Sequence, residues 1–256
     1  MKDFSNLKYL CILVIISLTA CSQEKTSDTS KEADDGFVSI FSGENMEGWE
    51  GDPDIWRVED GLLIGELTPE TDLKTNTFLI WTGGEPADFE LKVDFKISED
   101  GNSGINYRSD RLEEIPFALR GYQADIDGKN TYTGQNYEER KRTTLAYRGQ
   151  KTKINPQDPP GEIRDFVDRN AWRGLELIEE LGDKDSLKNL IKAEDWNHMH
   201  LVIKGNLLQH YVNGILMNEV EDEDPVNRSF KGYLGLQVHV GPPMQVAFKN
   251  IYLKEN

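Results

Sequence analysis

Three pairs of polar side chains carry the chemistry open to this sequence. Asn106 and Arg108 alternate with Ile105 and Tyr107. Gln123 and Asp125 alternate with Tyr122, Ala124 and Ile126, and Gln237 and His239 alternate with Leu236, Val238 and Val240. Alternation at period 2 puts each pair on one face of a strand and the apolar residues on the other. If the three faces adjoin, they form a polar groove with a carboxylate or imidazole base, a permanent cation and planar amides suited to a hydroxyl-rich ligand. Gly241-Pro242-Pro243 follows the last pair. Proline cannot donate to a ladder, so that strand stops there with its polar heads free. Periodicity does not say which strands are neighbours. Three unrelated solvated faces would read the same way, and His239 alone reads equally as a surface histidine.

The elements that must position these residues are mostly strands. Residues 37–41, 56–58, 62–64, 77–81, 89–97, 103–109, 122–126, 198–203, 207–212 and 215–217 carry strand signals, separated by Gly and Asn turns. Residues 89–97 are the cleanest, with apolar Phe89, Leu91, Val93, Phe95 and Ile97 on one face and charged residues on the other. No helical pattern separates most of these strands, which predicts an all-β sandwich of two antiparallel sheets. Residues 128–195 are the exception, being long, polar and interrupted by Pro156, Pro159 and Pro160. Two short helices are predicted there, over 175–181 with Gly182 as cap and over 185–192 with Asp185 as N-cap. Such a loop is typically a functional lid. Its Tyr132, Tyr137, Tyr147 and Trp172 favour an ordered, ligand-facing segment, since disordered chain is poor in aromatics. Tyr147 and the adjacent Arg148 are expected to contact substrate.

The N-terminus sets the expected location. Lys2 and Lys8 precede an apolar run over 10–18, about half the roughly 20 residues that span a bilayer, so residues 1–20 read as a signal peptide. Leu18-Thr19-Ala20-Cys21 resembles a bacterial lipobox, which makes Cys21 the lipidated mature N-terminus and residues 21–36 a polar tether. The expected home is the bacterial cell envelope, on the outer membrane facing the periplasm or on the cell surface. The only cysteines are Cys11 and Cys21, so the domain over 37–256 has no thiol chemistry, disulfide or cysteine metal site. A net charge of −17 disfavours nucleic acid and anionic membrane surfaces and is compatible with neutral sugars.

Several segments resemble one family. They are Phe41-Ser-Gly-Glu-Asn-Met-Glu-Gly-Trp49, Trp56-Arg-Val-Glu-Asp-Gly61, Asn102-Ser-Gly-Ile-Asn-Tyr-Arg108, Gly121-Tyr-Gln-Ala-Asp-Ile126, Asp195-Trp-Asn197, Gln209-His-Tyr-Val-Asn-Gly214, Leu236-Gln-Val-His-Val-Gly-Pro-Pro-Met244 and Phe248-Lys-Asn-Ile251. Together they resemble the bacterial 3-keto-disaccharide hydrolases. The resemblance implies a concanavalin-like jelly roll and cleavage of 3-keto-glycosides, after a separate sugar 3-oxidoreductase has made the ketone. The chain departs from the family's pattern in having Gln123 where many relatives have Glu, and Asp125 where they have Gln.

The implied reaction has a simple logic. A 3-ketone acidifies the C2 hydrogen, whose removal gives an enolate; the C1 aglycone leaves by β-elimination, and water adds to the enone. That chemistry needs a base near C2, an electrophile at the C3 oxygen and an acid for the leaving group. Asp125 or His239 is the expected base and Arg108 the enolate-stabilising cation, with Asn106, Gln123 and Gln237 binding sugar hydroxyls. No organic cofactor is expected; a divalent ion held by Asp125 and His239 could replace or assist Arg108. His198 and His200 read as a solvated strand face, and His210, on the apolar phase of its strand, as a packed structural histidine. A non-catalytic glycan-binding lipoprotein and a conventional glycosidase are the alternatives.

Overall fold

The computed structural model describes residues 35–256. The expected signal peptide, Cys21 and the tether up to residue 34 lie outside the described residues. What is described is a sandwich of two sheets. The first has ten strands, in the order Leu175–Glu180, Gln150–Ile154, Ile215–Asp222, Leu207–Val212, Asn197–Lys204, Phe89–Ile97, Met244–Glu255, Leu62–Leu67 and Trp56–Glu59, with Val38–Ser39 beside Met244–Glu255. The second has nine, in the order Val167–Asp168, Ala171–Trp172, Thr143–Ala146, Asn136–Glu139, Leu119–Asp127, Asn102–Arg111, Tyr233–Val238, Thr77–Trp81 and Trp49–Glu50. Pairing is antiparallel apart from Gln150–Ile154 against Ile215–Asp222 and the bridge between Thr144 and Ala171. The all-β expectation holds.

Local chemistry accounts for the hairpins. Asp60 and Gly61 both have positive φ (50° and 77°), as do Asn213 and Gly214 (52° and 80°). That pairing of signs gives the twist a tight two-residue hairpin requires. Phe89–Ile97 alternates as its sequence predicts, its five apolar residues each at most 5% exposed. At roughly 1.5–3 kcal/mol per buried apolar side chain, this strand's five together contribute about 8–15 kcal/mol of gross apolar burial. Facing it from the second sheet, Tyr107 packs edge-on against Phe89 and stacks on Tyr122 at 5.5 Å between centroids.

Polar groups are also built into this interior. His210 is fully buried, 2.8 Å from the Tyr107 hydroxyl, and burial lowers its pKa to about 3, so it is neutral, as its apolar phase predicts. Deeper still, Arg142 joins the two sheets. Its guanidinium meets Glu138 of the second sheet at 2.5 Å and Asp222 of the first at 2.6 Å, and Tyr122 donates its hydroxyl to Asp222 at 2.6 Å. Asp224 lies 3.4 Å away and Lys141 3.0 Å from Glu138. Burial would raise the Glu138 carboxyl, but the Arg142 and Lys141 charges hold it below its ordinary value.

The segment over 128–195 departs from expectation. It contributes six strands, and the predicted helix over 175–181 is the edge strand Leu175–Glu180. Gln150–Ile154 offers it a free ladder, and Leu175 packs against the core. Sheet pairing overrides the helical preference of Leu and Glu there. The second predicted helix is only Lys184–Lys188, capped by Asp183, whose carboxylate accepts from Ser186 N at 2.8 Å; Asp185 lies inside its first turn.

Removing Arg142 should be costly, because three buried carboxylates lose their counter-charge. Arg142→Met is expected to destabilise the fold by about 3 kcal/mol or more in urea denaturation, the scale for breaking a buried ion pair from one side. Unchanged stability would mean that the sandwich does not rely on this cluster.

Candidate active site

The three polar pairs come from adjacent strands. Leu119–Asp127, Asn102–Arg111 and Tyr233–Val238 lie side by side in the second sheet, with Gly104 opposite Asp125 and Asn106 opposite both Gln123 and Gly235. Gly104 is what lets the polar heads meet. A Cβ there would lie 2.5 Å from Gln123 Nε2, so the amides occupy the space above it. Gln237 Nε2 donates to Gln123 Oε1 at 3.1 Å, and Gln123 Nε2 donates to Asp125 Oδ1 at 2.8 Å. Gln135 Nε2 donates to the other oxygen, Asp125 Oδ2. Burial raises the Asp125 pKa to about 8, against the two amides that favour its charge, and the Glu139 and Asp127 charges add to the rise. At neutral pH this carboxyl is mostly protonated.

Beside this cluster opens a cleft of ≈ 1030 Å³ lined by Asn76, Tyr137, Glu139, Arg140 and His239, and bordered by Glu162, Ile163, Arg164, Asp165 and Val167. Glu139 is the central group. Burial raises its pKa; hydrogen bonding from Asn76 and the charges of Arg140 and His239 oppose the rise without cancelling it. Asn76 Nδ2 donates to Glu139 Oε1 at 3.1 Å, and Arg140 Nε lies 3.6 Å from the same oxygen. His239 Nδ1 lies 2.6 Å from Val240 O and must be the donor there, so Nε2 is the nitrogen free to exchange a proton. Burial raises the Tyr137 hydroxyl to about 12, which keeps it a hydrogen-bond donor.

Several expected contacts are placed elsewhere. A bulge between Tyr107 and Asp110, with Arg108 at φ 45°, turns the Arg108 side chain out of the pattern. Its guanidinium donates to Ala87 O at 2.8 Å, Gly205 O at 2.6 Å and Asp88 at 3.0 Å, none of them in the cleft. Arg108 therefore ties loops together, and the expected enolate-stabilising role has no geometry behind it. Asn106 is fully buried, its Nδ2 3.5 Å from Ser109 Oγ, so it is not a surface contact. Gln123 and Gln237 are buried in the amide cluster. Tyr147 and Arg148 line a separate cleft, with Arg148 engaged by backbone carbonyls. His198 and His200 sit on the outer face of the first sheet beside Asp94 (2.8 Å) and Glu90 (3.0 Å). Among the described residues no three His, Cys, Asp or Glu side chains converge to hold a metal ion. Both Asp125 oxygens are engaged by amides, so Asp125 and His239 are not presented as a ligand pair.

Sequence reasoning missed Glu139, Gln135, Asn76 and Arg140. Gln135, Tyr137 and Glu139 do alternate along one face, but the inward residues between them are Asn136 and Glu138, both polar. The period-2 signal is erased because Glu138 pairs with Arg142 inside the sandwich.

The fold is thus a jelly-roll-like sandwich whose second sheet bears a polar cleft lined by Glu139 and His239, with the raised Asp125 carboxyl buried nearby. The model of the 3-keto-alpha-glucoside-1,2-lyase-like domain matches residues 36–254, and the chain belongs to that family. It is 35% identical over 238 residues to a 3-keto-disaccharide hydrolase of Bacteroides thetaiotaomicron, covering 86% of this chain and 78% of the relative. Among solved structures it resembles a Parabacteroides distasonis protein described as a "putative glycosyl hydrolase" (TM-score 0.55, 18% identity, covering 89% of this chain and 97% of that one). It also resembles a Bacillus subtilis protein of unknown function with a galectin-like fold (TM-score 0.51, 11% identity, covering 82% and 90%). These two show the fold.

The neutral Asp125 has a thermodynamic signature. Between the ordinary 3.8 and about 8, the folded chain keeps a proton that the unfolded chain has released. Stability therefore falls as pH rises through that window. Asp125→Asn removes this slope, so the variant should gain on wild type in Tm between about pH 5 and about pH 8. A Tm difference that is the same at both values would contradict a raised Asp125.

Proposed function

We propose that this chain cleaves 3-keto-glycosides by removing the C2 proton and expelling the C1 aglycone. The observation that carries this is the pairing of Glu139 with His239 in one cleft: a carboxylate of raised basicity beside an imidazole with a free Nε2. The family's description and the name of the Bacteroides relative support carbohydrate hydrolysis and a 3-keto substrate.

In this reading Glu139 takes the proton from C2, and the electrons move onto the C3 oxygen as an enolate. The Arg140 guanidinium and the Tyr137 hydroxyl are the donors nearest that developing charge. The enolate then collapses, the C1–O bond breaks, and His239 delivers a proton from Nε2 to the departing aglycone oxygen. Water adds to the enone: its hydroxyl goes to C1 and its proton returns to His239, while Glu139, its proton exchanged with solvent, protonates C2, leaving a 3-keto sugar and a free alcohol. Asp125, neutral in the amide cluster, does not repel the nearby carboxylate and fixes Gln123 and Gln135. The ketone must come from a sugar 3-oxidoreductase. The lipobox-like segment ending at Cys21 supports an outer-membrane lipoprotein exposed to glycans in the periplasm or at the surface.

The test compares a chromogenic 3-keto-glucoside with its unoxidised parent. Only the keto substrate should release the chromophore, and Glu139→Gln should lower kcat by at least about a hundredfold, the scale of general base catalysis. Release from the parent alone would make the protein a conventional glycosidase. Binding of both without release would make it a lectin.

A further inference from the structure

Beyond the catalytic cleft, the second sheet borders another depression, of ≈ 600 Å³, that the reaction as described does not use. Its walls are the loop carrying Thr131, Tyr132 and Gln135 and the turn carrying Tyr147 and Gln150, and Glu180 and Asp183 close the far side. Tyr132 and Tyr147 are 48% and 43% exposed, and both line this depression. The cleft is preformed. Arg148, only 8% exposed, donates to Asn130 O at 3.1 Å, Thr133 O at 2.5 Å and Lys184 O at 3.0 Å, binding the two walls and the short helix together. Gly149, at φ +87°, allows the turn to touch the loop that follows Leu175–Glu180, since a Cβ there would lie 2.6 Å from Gly182 O.

We propose that this depression is the subsite for the aglycone sugar of a disaccharide, taking a neutral pyranose ring against Tyr132 and Tyr147. This rests on the cleavage reading above and specifies what leaves. Three features favour that occupant. Tyrosines offer flat apolar faces to the C–H side of a ring and hydroxyls to its rim. Glu180, Asp183 and Gln150 accept or exchange hydrogen bonds with sugar hydroxyls, and the two carboxylates are balanced by Lys184 and Arg148, so the lining carries no net charge and suits a neutral sugar. Position is the third. Gln135 lines this depression and donates to Asp125, while Tyr137 and Glu139, two and four residues further along the same strand face, line the catalytic cleft. Four residues of extended chain cover about 13 Å, close to the length of a disaccharide. A keto sugar at Glu139 thus directs its C1 substituent along Tyr137 toward the tyrosine pair.

The experiment measures kcat/KM for a 3-keto-disaccharide and for the methyl 3-keto-glucoside, and reads their ratio. In Tyr132→Ala/Tyr147→Ala the ratio should fall at least about tenfold, equivalent to about 1.4 kcal/mol of lost ring contact. The double Phe variant, which keeps both ring faces, should retain most of it. An unchanged ratio in the Ala variant, in a protein active on both substrates, would overturn the subsite and leave the cleavage reading intact. If wild type turns over neither substrate, the cleavage reading fails, and the depression is probed directly by ligand-detected NMR with an unoxidised disaccharide. Binding lost in the double Ala variant would then support a sugar site; absent binding, or binding that persists in the variant, would overturn it.

Discussion

Burial of Arg142 is the constraint on which the rest of the arrangement depends. A guanidinium removed from water is tolerable only with its donors satisfied, and here Glu138, Asp222 and the Tyr122 hydroxyl satisfy them from both sheets. The cluster fixes the strand Asn136–Glu139 in register against Leu119–Asp127. Because successive strand residues point to opposite faces, an inward Glu138 forces Glu139 outward into the cleft. The cleft carboxylate is thus aimed by the ionic group behind it. The specificity comes with an energetic liability, since three acidic groups lie near one fully buried cation, helped by Lys141 at the margin.

The amide cluster beside the cleft follows a second rule. Gly104 leaves a gap in the sheet's outer face that the Gln123 amide fills; Gln237 bonds Gln123, and Gln123 and Gln135 close on Asp125. Amides that bond one another and a carboxyl cannot swing, so the layer beside the cleft is rigid. Burial raises both carboxyls, but their surroundings differ: Asp125 is fully enclosed and held largely neutral, while Glu139 lines the cleft with Asn76, Arg140 and His239 around it. Unequal environments for two neighbouring acids are a recurring route to acid–base chemistry at neutral pH.

Much of the fold was legible because its strands obey simple alternation. Phe89–Ile97, Thr77–Trp81 and Leu207–Val212 fall where period and turn residues put them. The polar pairs Gln123 with Asp125 and Gln237 with His239 were also readable, since their inward partners are aliphatic or aromatic. Legibility failed where the interior is ionic or the backbone irregular. Glu138 and Asn136 hide the strand that presents Glu139, and the bulge at Arg108 turns a side chain that perfect alternation would have sent toward the site. Leu175–Glu180 looks helical until a free sheet edge, formed by residues far away in sequence, supplies its pairing.

The central claim is that the Glu139 cleft breaks the C2–H bond of a 3-keto sugar. Turnover of a 3-keto-disaccharide in heavy water, followed by NMR of the product, tests it most directly. The account predicts solvent deuterium at C2, with slower turnover of substrate already deuterated there. Product that keeps its original C2 hydrogen throughout, together with an unchanged rate for the labelled substrate, would contradict it.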